Sequence, residues 1–338
     1  MAKKRKTDPE LLVVGNLLNR PRPELCSNLE DNEFLVAVPE PRKYSEIRPL
    51  LLTCAFDLHL HDRGSVSFPI TMTSSPERRE TLFDSGQEVP TKTANLNETI
   101  WNALRESWGL TGDLHGDDAK NLAKGIARVC LAICHSPAYE LEHKESLAQD
   151  WAHIPIPRQK DVFARLCSSG DQIAVLLNPI IDARSTIKTI LGSSANTLAV
   201  ASRDGGGSVR SNDMVVAYSF SGNATGGWRS RQPTESESSI IPSGAETGDL
   251  YINDHIFFRN VPSTVWEYEL GGYPVIKEWL AYRDSGRRPD TALTLEETDH
   301  LRGMIQRIAA LLALHEKLNA LYEQVCTDCF RNEELGLI

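Results

Sequence analysis

Residues 251–283 read YINDHIFFRNVPSTVWEYELGGYPVIKEWLAYR, and this stretch decides the fold. It is dense in aromatic side chains, and Gly271-Gly272 supply a hinge because glycine adopts turn conformations that other residues avoid. The residues of the amphipathic turn that follows are Val275, Ile276, Trp279 and Leu280. The aromatic residues that we expect to be largely buried, fixing this turn against a sheet and a long helix, are Trp266, Tyr268, Tyr273 and Trp279.

Outward from this stretch, the chain alternates between strand and helix patterns. Short apolar or alternating runs predict strands at 34–38, 50–60, 65–72 and 214–220. Apolar residues at three-to-four spacing predict helices at 97–108 (capped by Asn97 or Thr99), 119–134 and 161–177. The longest helical pattern runs over 293–322, with Thr294 and Glu297 as a capping box. We therefore predict an α+β fold: a mixed β-sheet flanked by helices, with a long C-terminal helix.

Three parts are expected along the chain. Residues 1–19 form a basic flexible arm, 20–290 the main domain, and 291–338 a C-terminal helix that packs on that domain. Within the main domain, the helical part covers about 95–178 and the strand-rich part about 197–262.

The composition is that of an ordinary globular protein, with 338 residues, 41% hydrophobic and 24% charged. No run approaches the roughly 18 apolar residues that a membrane span needs. An odd number of cysteines, seven, fits a reduced cytoplasmic protein. The net charge of −10 argues against indiscriminate nucleic-acid binding. Residues 151–240 nevertheless hold nine Lys or Arg against seven Asp or Glu, so one face can still dock a duplex.

The sequence contains no motif that indicates catalysis. A DNA adenine methyltransferase needs an Asn/Asp-Pro-Pro-aromatic loop, and the closest match, Asn178-Pro179-Ile180-Ile181, is better interpreted as a helix stop. The glycines 205–207 neither follow a clear buried strand nor precede a helix, so a cofactor loop is not indicated. The ATP-binding GxxxxGK[ST] pattern is missing as well. We expect no cofactor, neither S-adenosylmethionine nor ATP, and no catalysis by this chain alone.

Two weak metal patterns occur. Asp57, His59 and His61 alternate on one predicted strand, and Cys326 and Cys329 form a lone CxxC. Neither pattern has a second cluster of ligands, so we predict no metal site.

A Gly/Ser-rich segment carries the more suggestive residues. Its arginines and the interleaved polar and aromatic residues are Arg203, Arg210, Asn223, Trp228, Arg229 and Arg231. Arg184 and Lys188 flank it on a more regular element. Such loops can approach a phosphate backbone and offer forked donors to guanine, although an ordinary solvated surface is the alternative.

Several segments resemble the C-terminal specificity region of type ISP restriction–modification enzymes. These enzymes are single-polypeptide relatives of type I systems that combine helicase, nuclease, adenine methyltransferase and DNA-recognition parts. The segments with the resemblance are VWEYELGGYPVIKEWLAYR (265–283), AICHSPAYELEHKESLAQDWAHIPIP (132–157), LLLTCAFDLHLHDRGSVSFPI (50–70), ANLNETIWNAL (94–104) and LYINDHIFFRNVP (250–262). Glu140 and His153 depart from the family pattern, where arginine is expected at both positions.

The resemblance implies a target-recognition domain over about 20–290 that binds double-stranded DNA. Base reading is expected in the poorly matching segment 203–248, and phosphate contacts at Arg184 and Lys188. Methylation and cleavage would come from other domains or from a partner methyltransferase or nuclease chain. The alternative is a protein-interaction module that kept the fold and lost DNA binding, which the acidic net charge favours.

Overall fold

The computed structural model describes residues 32–38, 48–53, 65–73, 92–149, 151–218, 225–235, 237, 245–289 and 291–335. They form two compact units. The first unit contains the described residues up to Asp171 together with those from Ala320 onward, and the second contains Gln172–Asn319. None of the described helices is both long enough and apolar enough to cross a membrane.

The first unit joins small antiparallel sheets to a group of helices. Its strands β1 (Phe34–Ala37), β2 (Leu50–Leu52) and β3 (Val66–Pro69) form a sheet of order β2-β1-β3, and β4 (Thr71–Thr73) pairs with β5 (Lys92–Ala94). Its helices are α1 (Glu98–Trp108), α2 (Asp117–Cys134), α3 (Pro137–Leu147) and the greater part of α4 (Lys160–Leu177). Arg128 of α2 ties these elements together, because it donates to Glu33 at 2.6 and 2.7 Å and to Asp171 at 2.9 Å.

The second unit is built around one four-stranded antiparallel sheet. Strands β6 (Val200–Arg203), β7 (Gly227–Ser230), β8 (Thr247–Tyr251) and β9 (Ile256–Pro262) lie in the order β6-β9-β8-β7. After them come α6 (Ser263–Trp266), the hairpin β10 (Glu269–Leu270) and β11 (Tyr273–Pro274), and α7 (Val275–Arg283). Helix α5 (Arg184–Leu191) precedes the sheet and α8 (Leu295–Ala313) follows it in sequence. Helix α9 (His315–Thr327) begins in this unit, and its residues from Ala320 onward belong to the first.

One face of the four-stranded sheet forms the core of the second unit. Its fully buried members include Leu250, Ile256 and Phe258, and they share a hydrophobic cluster with Leu301 and Ile305 of α8. Alternate residues of the same strands point to the opposite face of the sheet. We call that opposite surface the outer face.

The α+β class and the predicted helices are confirmed. Asn97 caps α1 by accepting a hydrogen bond from the Thr99 backbone at 2.9 Å, and Thr294 and Glu297 form the expected capping box. Helix α4 ends at Leu177, just before Asn178-Pro179. The long C-terminal helix bends at Leu314, between α8 and α9, and named strands pair antiparallel throughout the described residues.

Residues 137–147 form α3, within the part predicted to be helical. Two expectations from the sequence were wrong. The apolar run from 214 forms no regular strand over its described part: Val215 and Val216 make only isolated bridges, to Ala292 and Asp284. Tyr273 is 48% exposed, whereas Trp266 is 8% exposed as predicted. Hairpin β10–β11 has two residues per strand, so it is too short to cover a ring beside its turn.

Replacing a helical glycine by alanine is expected to have opposite effects on stability at two positions, Gly170 and Gly303. At Gly170 in α4, an added Cβ would lie 2.2 Å from the backbone oxygen of Arg128 in α2, so the two helices would have to separate. At Gly303 in α8, an added Cβ would meet nothing within 4 Å. We expect Gly170→Ala to destabilise the protein by about 1–3 kcal/mol. We expect Gly303→Ala to stabilise it by roughly 0.5–1 kcal/mol, since alanine favours helix. Urea titration of both variants measures the difference, and equal shifts would contradict the close packing of α2 on α4.

Candidate nucleic-acid interface

The outer face presents aromatic rings and an arginine in direct contact. Cross-strand partners Tyr251 of β8 and Phe257 of β9 stack with ring centroids 4.9 Å apart and an interplanar angle of 25°. The guanidinium of Arg229 on β7 lies 3.7 Å from the centre of the Tyr251 ring. The Tyr251 hydroxyl donates to Asp204 at 3.0 Å, and burial together with this carboxylate raises the pKa of Tyr251. A row of planar groups therefore crosses three strands on the outer face.

Arg231 is held at the end of β7 by two carboxylates. Its Nε donates to both oxygens of Asp249 at 2.9 Å, and its two terminal nitrogens donate to Glu237 at 2.7 and 3.0 Å. The Glu237 side chain is only 4% exposed, and it also pairs with Arg259 at 3.4 Å. Hydrogen bonds from Arg231 lower the pKa of Glu237 to about 2. The guanidinium of Arg231 is thus occupied within the protein.

Arg203, at the end of edge strand β6, is held differently. One of its terminal nitrogens, Nη1, donates to Asp213 at 2.6 Å, and the Arg203 side chain remains 37% exposed. It lines two open depressions, of about 610 and 550 Å³. The glycine turn that follows β6 borders the smaller depression, and all three of its glycines have positive φ. Such a turn admits close approach of a ligand because it carries no side chains.

The other predicted residues are spread over the second unit. Trp228 points to the core side of the sheet and donates from its indole nitrogen to the Val261 carbonyl at 2.7 Å. Arg210 is exposed beside Asp213. Arg184 and Lys188 are both exposed on α5, one turn apart, and α5 packs on α8. Asn223, and the metal pattern at residues 57–61, lie outside the described residues. Among the described residues, no cluster of three or more potential metal ligands is found.

The structure therefore brings only part of the predicted set together. Arg203 and Arg231 line one depression, and Arg229 lies on the same sheet. Arg184 and Lys188 belong to another element.

The sequence model of the Type ISP C-terminal specificity domain matches residues 8–308. The chain belongs to this family. The match confirms the resemblance that the segments around HSPAY and WEYELGGYP carry.

Solved structures similar to this specificity domain include three large proteins described as bound to DNA. The first is titled "cryoEM structure DrdV-DNA complex", with 12% identity, a TM-score of 0.47, and coverage of 86% of this chain and 24% of that one. The second is the "ATP-dependent Type ISP restriction-modification enzyme LlaBIII bound to DNA", with 13% identity, a TM-score of 0.46, and coverage of 88% and 16%. The third is a nuclease-deletion mutant of the Type ISP enzyme LlaGI with a DNA substrate mimic, with 13% identity, a TM-score of 0.41, and coverage of 86% and 21%.

The specificity domain thus spans between 16% and 24% of the length of those chains. Among curated proteins, none matches it.

Sequence reasoning missed several residues of the outer face and its supports. They are Tyr251, Phe257 and Arg259 on the sheet, and the carboxylates Asp213, Glu237 and Asp249. One signal was present: Phe257 and Arg259 are two apart in a strand, so they share a face. The carboxylate partners gave no signal in the sequence, because each lies at a loop or register position that only the fold defines.

Proposed function

We propose that this specificity domain recognises double-stranded DNA in a sequence-dependent manner. In this proposal it has no catalytic activity of its own and works in the cytoplasm. It supplies target choice to methyltransferase and nuclease activities carried by other domains or chains. The observation that carries the proposal is the outer face of the β6-β9-β8-β7 sheet. It offers exposed arginines and stacked aromatic rings beside a glycine turn, in a chain of the specificity family.

The chemistry of this face suits DNA better than the chain's net charge of −10 suggests. Arginine provides forked donors for base edges and phosphates, and its plane stacks on aromatic rings. Arg229 and Arg259 are exposed on the outer face, and Arg203, opposite Ile256 at the edge of the sheet, is partly exposed. We assign these three to contact with DNA and retain Arg210 and Asn223 as candidate base contacts. Arg184 and Lys188 are assigned to phosphates.

Arg231 and Trp228 have a different role in this proposal. Both are engaged within the protein: Arg231 ties the end of β7 to Asp249 of β8, and Trp228 ties β7 to Val261 of β9. Substituting either is expected to change DNA binding through the fold and not through a lost contact.

A triple substitution tests the assignment of Arg203, Arg229 and Arg259 to DNA contact. We expect Arg203→Ala with Arg229→Ala and Arg259→Ala to weaken duplex binding at least about tenfold, because each arginine is lost as a DNA contact. The dependence of log affinity on log salt should flatten by about one unit for each phosphate contact removed. Fluorescence anisotropy with a labelled duplex at several salt concentrations measures both quantities.

The matched control removes the same charge from elsewhere on the surface. Lys124→Ala, Arg165→Ala and Lys317→Ala change three exposed cations that lie off the outer face. This control should bind duplex like the parent, and thermal melting should show both triple variants folded. Equal affinity of the Arg203/Arg229/Arg259 variant and the parent would contradict the assignment.

The net charge of −10 favours the second candidate, a protein-interaction module. Duplex binding that is undetectable even at low salt would support it. Methyl transfer to DNA by the isolated chain with S-adenosylmethionine would contradict the non-catalytic part of the proposal.

A further inference from the structure

Arg203 differs from Arg231 in what its guanidinium leaves free. A guanidinium has five N–H donors arranged along three edges. Asp213 takes one donor, on Nη1. Among the residues that the structure describes, Nε and Nη2 of Arg203 have no acceptor. Arg231, in contrast, has Nε and both terminal nitrogens engaged by Asp249 and Glu237. One complete edge of Arg203, with two parallel donors, therefore remains available.

The partner of Arg203 is itself fixed in place. Asp213 ends the short 3-10 turn Ser211–Asp213, and its carboxylate accepts from the Arg210 backbone at 3.3 Å. Its carbonyl accepts from the Asn253 side chain at 2.9 Å. Arg203 is anchored by the pairing of β6 with β9, opposite Ile256. Both ends of the ion pair are thus held by the fold, and the hydrogen bond to Asp213 orients the guanidinium.

The Arg203 side chain is also 37% exposed. Arg203 lines both open depressions beside β6, so its side chain forms part of the wall between them. Gly206 and Gly207 border one depression and present no side chain that would keep a ligand away.

We propose that Arg203 reads a guanine in the recognised duplex and that Asp213 is its positioning residue. Guanine presents two acceptors, O6 and N7, side by side in the major groove, and a forked arginine edge matches them. Asp213 selects the productive orientation before binding, so less side-chain entropy is lost on contact. This inference rests on the proposed function, since it names one base of the DNA target.

Two possible roles of Asp213, orienting Arg203 or only adding negative charge, predict different effects of the same substitution on DNA binding. A carboxylate near DNA repels phosphates, so Asp213→Asn should tighten binding to every duplex if charge were its whole role. If Asp213 orients Arg203, the same variant loses discrimination at one base pair, while its affinity for unrelated duplexes stays equal or rises.

The test begins with selection of duplexes bound by the full chain from a random pool. The selected sequence should contain a guanine at which Arg203→Ala and Asp213→Asn both lose preference. The loss expected at that position is roughly tenfold to a hundredfold. Arg203→Lys, which keeps the charge without the fork, should lose most of the preference too. Circular dichroism and thermal melting establish that the variants are folded.

A base analogue identifies the contact directly. Replacing that guanine by 7-deazaguanine removes N7 and should weaken binding by the parent severalfold, yet leave binding by Arg203→Ala unchanged. A selected sequence with no guanine, or an analogue effect of equal size in the parent and in Arg203→Ala, would overturn the inference while the proposed function stands. Uniformly tighter binding by Asp213→Asn, with preference retained, would overturn the role of Asp213. Absence of any duplex binding by the parent would overturn the proposed function and this inference together.

Discussion

Replacing Phe258 with alanine is expected to lower the free energy of unfolding by about 3–5 kcal/mol. Phe258 lies in β9, is 0% exposed, and pairs across the sheet with Ala201 on one side and Leu250 on the other. The core side of β9 contacts α8, so removing the ring leaves a cavity between the sheet and that helix. Close-packed neighbours relax only partly into such a cavity, and the lost contacts add to the lost burial. Denaturant titration measures the change.

The neighbouring residue provides the control. Phe257 has the same side chain in the same strand, but it faces outward and is only partly buried. Phe257→Ala should therefore cost less, about 1–2 kcal/mol, for lost partial burial and stacking on Tyr251. If both variants lose the same stability, the division of β9 into a core side and an outer face is incorrect.

Local patterns predicted the helices well because each carries its own signals. Asn97 before α1 and Thr294 with Glu297 before α8 are side-chain caps that act within a few residues. The apolar run from 214 was predicted to be a strand because it alternates like one. Its backbone carbonyls and amides instead form isolated bridges and a hydrogen bond with a distant side chain. Asn253 donates to the Val215 carbonyl at 2.8 Å. Pairing with distant segments is decided by the whole fold and leaves no mark on the local pattern.

The candidate interface was predictable as a segment but not as a set of contacts. Composition indicated the Gly-rich, arginine-bearing stretch, and Arg203 and Arg229 do lie on or beside one sheet. What separates Arg231 from Arg203 is the number of carboxylates within reach. Arg231 meets Glu237 six residues away and Asp249 eighteen residues away, and the second contact depends on the register of β7 and β8. A register is set by a whole strand pair, so residue types alone could not reveal it.

The ion pairs also account for an arginine-rich face on an acidic protein. Glu237 and Asp249 pair with Arg231 and Arg259 on the outer face, and Asp213 pairs with Arg203 at the edge of the sheet. Because these carboxylates offset the positive charge, the face need not attract phosphate indiscriminately. In our proposal, the arginine N–H donors that no carboxylate occupies select DNA by their geometry. Because the paired carboxylates weaken the long-range positive field, non-specific binding to phosphate is reduced.

Glu237 is expected to make stability depend on pH in the acid range. Arg231 holds the pKa of Glu237 at about 2 in the folded protein, compared with an ordinary value of 4.5. A carboxyl group whose folded pKa is lowered stabilises the fold fully above its unfolded pKa. That contribution is lost as the pH falls from about 4.5 to about 2, and it amounts to about 3 kcal/mol. The stability difference between the parent and Glu237→Gln should therefore be largest near neutral pH and shrink across this window.

Glu246→Gln is the matched control, because it removes the same charge from an exposed position four residues before Leu250 in the approach to β8. It should change stability by no more than about 0.5 kcal/mol. Urea titrations of the three proteins at several pH values between 2 and 7 measure the effect. A difference between the parent and Glu237→Gln that stays constant over that range would mean that the carboxylate contributes by packing alone. In that case the Arg231–Glu237 pair would not be the electrostatic support of the outer face.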